Sequence, residues 1–238
     1  MERDWDVRAG ELASQAIAAG EPTTWFDRLY AEGATGEVSM PWDRDEPQDL
    51  LRDWAEARDL DGTGRRAVVV GCGLGADAEY LAARGFATTG FDIATTAVRL
   101  ARERHPGTQV DYRVADLLDL PGDWRGAFDL VVEVFTIQAL PDPPRDRAMA
   151  AVRALVAPGG TLLAVAFRAV EGDDPEHGPP YPLTRSTMQA LAGDALTVVR
   201  AEELAGPRWR VEYARPHERD AEPAAGDRAR RSDPPTSG

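Results

Sequence analysis

The stretch VVVGCGLGAD, Val68–Asp77, constrains this chain more than any other segment. Its β-branched start reads as a strand buried on both faces. Gly71, Gly73 and Gly75 follow at once, and a helix-forming run opens at Ala76. Glycine reaches positive φ without steric cost and lets the backbone approach a ligand closely. The helix beyond presents free N–H groups at its start. A strand feeding a helix through such a turn is half of a βαβ unit, which in turn predicts a parallel sheet.

The alternation continues downstream. Strands are expected at Arg66–Gly71, Thr88–Asp92, Gln109–Val114, Phe128–Val134 and Thr161–Phe167. Helices are expected at Ala76–Arg84, from Ala94 to the His105-Pro106-Gly107 stop, and at Arg145–Val156 before Pro158-Gly159-Gly160. A short helix at Arg185–Ala192 and strands at Leu196–Glu202 and Trp209–Ala214 complete the core. The expected fold is α/β: a Rossmann-like, doubly wound, seven-stranded sheet, mostly parallel, with one antiparallel strand near the C-terminus. Residues 1–60 read as a helical lid, with helices near Leu12–Ala19, Thr24–Glu32 and Gln48–Arg58. Residues 61–216 read as the core. From His217 to Gly238 there is no Ile, Leu, Val, Met, Phe, Trp or Tyr, so residues 217–238 are expected to be a disordered tail.

The composition narrows the partners. With 238 residues and 43% hydrophobic content, the chain can fill one large domain. Its formal charge of −14, from 41 acids against 27 bases, repels phosphate backbones and anionic membranes. There is no run of about 20 apolar residues of the kind that crosses a bilayer. The charged opening MERDWDVRAGELAS lacks the apolar stretch of a signal peptide, and the expected location is a bacterial cytoplasm. Cys72 is the only cysteine, which excludes an internal disulfide and a multi-cysteine metal site. The expected partner is a small molecule, with no nucleic acid and no membrane; the sequence is silent on oligomeric state.

The glycine string GCGLGA also satisfies a dinucleotide pattern, with Asp92 about where the ribose-binding acid belongs. Alone, it fits NAD as well as S-adenosyl-L-methionine, since both carry an adenosine. Asp92 also reads as the cap of the helix that follows. Three later features favour S-adenosylmethionine. Ala115-Asp116-Leu117 places an acid at the end of the third strand, and Glu133 closes the fourth strand at the rim where such folds bind ligands. A helix and a strand pair then end the sheet, with no residues left for a second substrate domain. From about Pro41 to Pro216 the chain resembles the class I S-adenosylmethionine-dependent methyltransferases.

Flanking segments sharpen the resemblance. TTWFDRLYAEG (Thr23–Gly33), MPWDRDEP (Met40–Pro47), FTIQALPDPPR (Phe135–Arg145) and GPPYPLT (Gly178–Thr184) are similar to the thiopurine S-methyltransferase-like group. That resemblance implies methyl transfer to a small acceptor, thiol sulfur favoured, with an oxygen or nitrogen of a secondary metabolite as the alternative. Trp42 would lie against the cofactor and Trp25 would help close the site. Gly71 and Gly73 would face the methionine portion, with Cys72 and Ile93 beside the cofactor. Asp92 would bind ribose, and Asp116 and Leu117 would flank adenine. Arg145 would stand on the acceptor side, where a cation favours an anion, or else be a solvated helix residue. Pro179, Pro180 and Tyr181 would form a stiff wall over the substrate mouth, or a mere surface turn. Glu133 would orient the sulfonium or the acceptor, or cap the next segment. His177, in the acidic loop Val170–His177, is the histidine closest to that mouth and a candidate base. A cofactor sensor without turnover and an NAD-dependent oxidoreductase are the competing classes.

Overall fold

The computed structural model describes residues 4–174 and 178–217. Three helices come first: α1 (Asp4–Ala18), α2 (Trp25–Thr35) and α3 (Asp49–Glu56). The alternating core follows as β1 (Arg66–Val70), α4 (Ala76–Ala83), β2 (Ala87–Asp92), α5 (Thr95–Arg104) and β3 (Asp111–Val114). It continues as β4 (Phe128–Val134), α6 (Pro144–Leu155), β5 (Val156–Phe167), α7 (Arg185–Ala192), β6 (Thr197–Leu204) and β7 (Arg208–Ala214). One seven-stranded sheet runs in the order β3-β2-β1-β4-β5-β7-β6. β7 alone is antiparallel to its neighbours, and the other pairings are parallel.

The sheet is doubly wound because its central strands are apolar on both faces. Val68 and Val70 point into one core with Met149, Val152 and Leu155 of α6 and Met188 and Leu191 of α7. Ala67 and Val69 point the other way, into a core with Leu81 of α4, Val98 of α5 and Leu51 and Trp54 of α3. Side chains alternate along a strand, so one β-branched run serves two layers. Strand order reverses between β1 and β4, which opens a crevice at their C-terminal ends.

Three expectations need correction. α1 begins at Asp4, two turns before the expected Leu12, because Trp5 and Ala9 extend the buried stripe of Leu12, Ala13 and Ala16. That stripe packs on Trp25 and Leu29 of α2. α3 is part of the covering layer rather than of a lid. Its Trp54 indole N–H donates to Glu212 of β7 at 3.0 Å. Of the described residues before β1, α1, α2 and the connection to α3 stand over the crevice.

The third correction concerns Pro158-Gly159-Gly160, expected to separate a helix from a strand. α6 stops at Leu155 and β5 runs straight through this tripeptide, with a bulge where pairing slips from Phe128↔Val156 to Leu130↔Thr161. Gly159 takes φ +77° there and its N–H donates to Arg215 O at 2.9 Å. No helix among the described residues is long and apolar enough to cross a membrane. The expected tail, His217 apart, lies outside the described residues.

The two-sided core makes a stability test. Leu162 of β5 is fully buried, whereas Val199 of β6 is 57% exposed. Leu162→Ala should lower the unfolding free energy by about 2–5 kcal/mol, and Val199→Ala by less than about 0.5 kcal/mol. Denaturant melts of both variants check this; equal effects would contradict the layering.

Candidate cofactor and acceptor site

The crevice at the C-terminal ends of β1, β2 and β4 is a cavity of about 340 Å³, roofed by α1, α2 and the segment around Trp42. The glycine turn forms its floor. Gly71 and Gly73 take φ of +61° and +52°. A Cβ at Gly71 would lie 2.4 Å from Thr136 Oγ1, and one at Gly73 would lie 2.9 Å from the Tyr30 hydroxyl. Backbone conformation and close packing both require glycine at these positions.

Asp92 ends β2 directly beneath this turn. Its Oδ2 accepts from Gly73 N–H at 3.0 Å and its Oδ1 from Ala94 N–H at 2.9 Å. It therefore fixes Ala94, the residue that precedes α5, and also holds the glycine turn, whereas the Thr96 N–H inside α5 donates to Asp27 at 2.7 Å. Burial pushes its carboxyl up to about 6, with the Ala94, Gly73 and Ile93 amides pulling the other way. Asp116, after β3, accepts from Leu118 N–H through Oδ1 at 2.8 Å, while its Oδ2 makes no hydrogen bond among the described residues. Asp77 opens α4, and its Oδ1 accepts from Gln48 N–H at 2.6 Å, with Arg44 3.4 Å away. Burial raises its pKa against the pull of Arg44 and Gln48. These contacts tie the roof segment to the floor.

The structure brings most of the sequence-derived residues together. Trp25, Trp42, Gly71, Cys72, Gly73, Asp92, Ile93, Asp116, Leu117, Pro179 and Pro180 all line this one cavity. Trp42 meets Trp5 edge-on at 5.2 Å and Tyr30 at 6.4 Å, and Trp25 stacks on Phe26 at 3.9 Å. Cys72 is buried, and burial raises its thiol pKa well above the ordinary range, which suits packing rather than nucleophilic work.

Glu133, Arg145 and Tyr181 are not among the lining residues, which corrects their expected direct roles. Glu133 points into the protein, where its Oε1 accepts from Thr136 N–H at 2.7 Å and Ile137 N–H at 2.9 Å. The capping alternative is therefore the one realised. Burial pushes the Glu133 carboxyl up to about 7, opposed by the Ile137 and Thr136 amides. Arg145 donates through Nε to Leu140 O and through Nη1 to Asp142, both at 3.0 Å, and lies 5.2 Å over the Tyr181 ring. The Tyr181 N–H donates to Gln138 O at 2.7 Å. Arg145 and Tyr181 thus brace the wall that Pro179 and Pro180 present. His177 lies outside the described residues.

Sequence reasoning missed Tyr30 and Gln138. Tyr30 lies on one helix face with Phe26, four residues apart, a spacing that could have pointed it to the same cavity as the Trp42 segment. Phe135 was read only as part of a motif. It has φ +60° and stacks on Phe167 at 4.9 Å, so both rings form a wall of the cavity.

Residues 67–160 match the family model described as a methyltransferase domain. A ubiquinone biosynthesis O-methyltransferase of Xanthomonas axonopodis pv. citri is 36% identical over 130 residues, covering 51% of this chain and 53% of the relative. The chain thus spans about half the length of the curated relatives it matches. Among solved structures, one concerning conversion of a disulfide bond into a thioacetal group during echinomycin biosynthesis superposes with a TM-score of 0.68. It is 22% identical and covers 82% of this chain and 92% of that chain. The magnesium protoporphyrin IX methyltransferase of Synechocystis PCC 6803 with bound S-adenosylhomocysteine gives a TM-score of 0.58 at 17% identity, covering 79% and 85%. Residues 67–160 thus match a methyltransferase domain, and the chain shares its fold with the Synechocystis enzyme that was also solved with S-adenosylmethionine bound.

The residues present fit this cofactor. A carboxylate has about four acceptor positions, so Asp92 can take ribose hydroxyls while keeping its two amide bonds. The unpartnered Oδ2 of Asp116 can accept from an amino group.

Two measurements follow from this geometry. Asp92→Asn should weaken S-adenosylhomocysteine binding at least tenfold, about 1.4 kcal/mol, by calorimetry; unchanged affinity would overturn the ribose role. Glu133 supplies the pH test. Its folded pKa lies above the unfolded value of 4.5, so the native state binds more protons and loses stability as pH rises from there through about 7. Glu133→Gln keeps both amide bonds, because both converge on one oxygen. Relative to wild type, the variant should gain about 3 kcal/mol between about pH 4 and about pH 8 in melts across that range. A flat difference would contradict the buried, raised carboxyl.

Proposed function

We propose that this chain transfers a methyl group from S-adenosylmethionine to a nucleophile on a small, largely apolar acceptor, with oxygen ahead of sulfur. The observation that carries this reading is the division of the cavity. Among the described residues every charged lining residue, Arg44, Asp77, Asp92 and Asp116, belongs to the glycine-turn side. The side beyond β4 and β5 is walled by Phe135, Phe167, Pro179 and Pro180, and Trp25 and Phe26 of α2 add to the apolar roof. Such a space favours a flat molecule with no charge besides that of its reacting atom over a phosphate or a sugar. The net charge of −14 speaks against a nucleic-acid acceptor.

In this reading Gly71 and Gly73 admit the methionine portion, Asp92 holds ribose and Asp116 with Leu117 flanks adenine. Trp42, Cys72 and Ile93 pack around it, and Trp25 closes the roof. S-adenosylmethionine, when bound, supplies an electrophilic methyl group on a sulfonium. Displacement at that carbon needs the acceptor lone pair in line, about 3 Å behind it, with water excluded. The aromatic walls and the prolines do that work. Arg145 acts indirectly, through Leu140 and Tyr181.

Among the described residues no carboxylate, histidine or cysteine lines the acceptor side. The Thr136 hydroxyl is already engaged, donating to Val70 O at 3.0 Å. The acceptor must therefore arrive with an acidic O–H or S–H already ionised, or lose its proton to water. Oxygen is favoured by the curated relatives, which are named O-methyltransferases. Sulfur is the second reading, supported by the same base-free wall and by the thiopurine S-methyltransferase-like segments. The lid now consists of residues 4–48, and a cytoplasmic setting fits a small-molecule enzyme.

The test is S-adenosylhomocysteine release on mixing the protein with S-adenosylmethionine and a panel of phenols, aryl thiols, catechols, thiopurines and amines. Turnover is expected with acidic phenols, rising with pH through the acceptor's own pKa. Turnover with thiols alone would promote the sulfur reading. Tight cofactor binding with no turnover would favour a sensor over an enzyme.

A further inference from the structure

Gln138 follows the strained corner at the end of β4 and lines the cavity although it is only 1% exposed. Its carboxamide is not free to choose an orientation. Phe167 offers a backbone N–H, and a donor must face an acceptor, so the atom against it is Gln138 Oε1, at 2.6 Å. The Gln138 carbonyl is likewise occupied, by the Tyr181 N–H at 2.7 Å. What remains is the side-chain NH2, and it has no hydrogen-bond partner among the described residues. A donor that faces the cavity with no protein partner is completed by water or by whatever molecule enters, and is costly to cover with a group that cannot accept.

Its surroundings define the partner's chemistry. Phe135 and Phe167 stack at 4.9 Å with an interplanar angle of 18°, and Pro179 and Pro180 line the same side. No cation lines that side among the described residues, so a carboxylate or phosphate would enter without a counter-charge. A neutral oxygen acceptor on a flat, apolar frame satisfies both the donor and the walls. We propose that Gln138 is a specificity-determining residue that donates from Nε2 to a neutral carbonyl or ether oxygen carried by a planar methyl acceptor. This rests on the methyl-transfer reading above and adds the substrate feature that the site selects. A site built to donate to an oxygen rejects an isostere without it, because the donor is then left buried and unpaired.

The test uses a matched pair of aryl nucleophiles, ortho-hydroxyacetophenone and ortho-isopropylphenol, which differ by a carbonyl oxygen replaced with a methyl group. Binding is read by calorimetry on the full chain saturated with S-adenosylhomocysteine, so no turnover is needed. Wild type should bind the carbonyl compound at least about tenfold more tightly than its isostere. Gln138→Glu preserves an oxygen for the Phe167 N–H but removes the amide donor. At a pH where that carboxyl is ionised, the preference should vanish while S-adenosylhomocysteine affinity stays within about twofold. A purely structural role for Gln138 would leave the preference intact in this variant, and that result would overturn the proposal. Equal binding of the pair by wild type, or binding of neither, would overturn it as well, whether or not the variant folds. Failure of the methyl-transfer reading is separate: it would show as absent S-adenosylhomocysteine binding or absent turnover.

Discussion

One buried carboxylate fixes the distance between two backbone turns, and the site depends on that distance. Asp92 accepts from Gly73 on one side and Ala94 on the other. The first bond holds the glycine turn against β2, and the second fixes the residue from which α5 departs. Without it, two buried amides would lack partners, at about 1–3 kcal/mol each. Burial has raised its pKa to about 6, so the two bonds offset only part of the desolvation of the charge. A carboxylate in that condition gains from every further donor that reaches it. In the proposed reading the cofactor hydroxyls are such donors and would relieve the electrostatic deficit that the fold holds at this position.

The corner after β4 is over-determined in a comparable way. Glu133 collects the amides of Thr136 and Ile137, Thr136 donates back to Val70 O, and Gln138 accepts from Phe167. Together these contacts hold Phe135 at φ +60°, a conformation that costs a bulky residue about 1–3 kcal/mol. Relaxing Phe135 would pull its ring off Phe167 and open the wall. The strain is therefore tied to the flatness of the acceptor space.

The sheet was legible because burial on two faces leaves a β-branched signature, and the glycine turn was legible because positive φ selects glycine. Asp92 and Asp116 were legible for a related reason: each ends a parallel strand, where position along the chain fixes position at the rim. Elsewhere the rules weaken. Pro158-Gly159-Gly160 reads as a break, yet a bulge accommodates it, since paired strands tolerate one irregular stretch. The start of α1 was hidden by charged residues interleaved with Trp5 and Ala9. Glu133, Arg145 and Tyr181 sit at the right places in sequence and face the wrong way, because side-chain direction after a strand end depends on the local turn. Gln138 lay in a quoted segment, but its importance appears only once the Phe167 amide is known to face it.

The charge pattern explains why the cavity has two halves. The chain carries 41 acids, yet among the described residues those that line the cavity, Asp77, Asp92 and Asp116, all lie at the first turn of α4 or the ends of β2 and β3. Each has at least one backbone N–H, so each is held in place before a ligand arrives. That end has a negative bias matched to a sulfonium and its amino group. The other end holds aromatic rings, prolines and one amide, and among the described residues no charged side chain lines it. Under the proposed reading, a cationic cofactor and an acceptor whose only charge is on its reacting atom would be sorted by this polarity. Exchanging their places would move the sulfonium away from its carboxylates and leave those carboxylates facing an apolar molecule. If the proposed reading holds, polarity along one cavity would set the direction in which the two molecules meet.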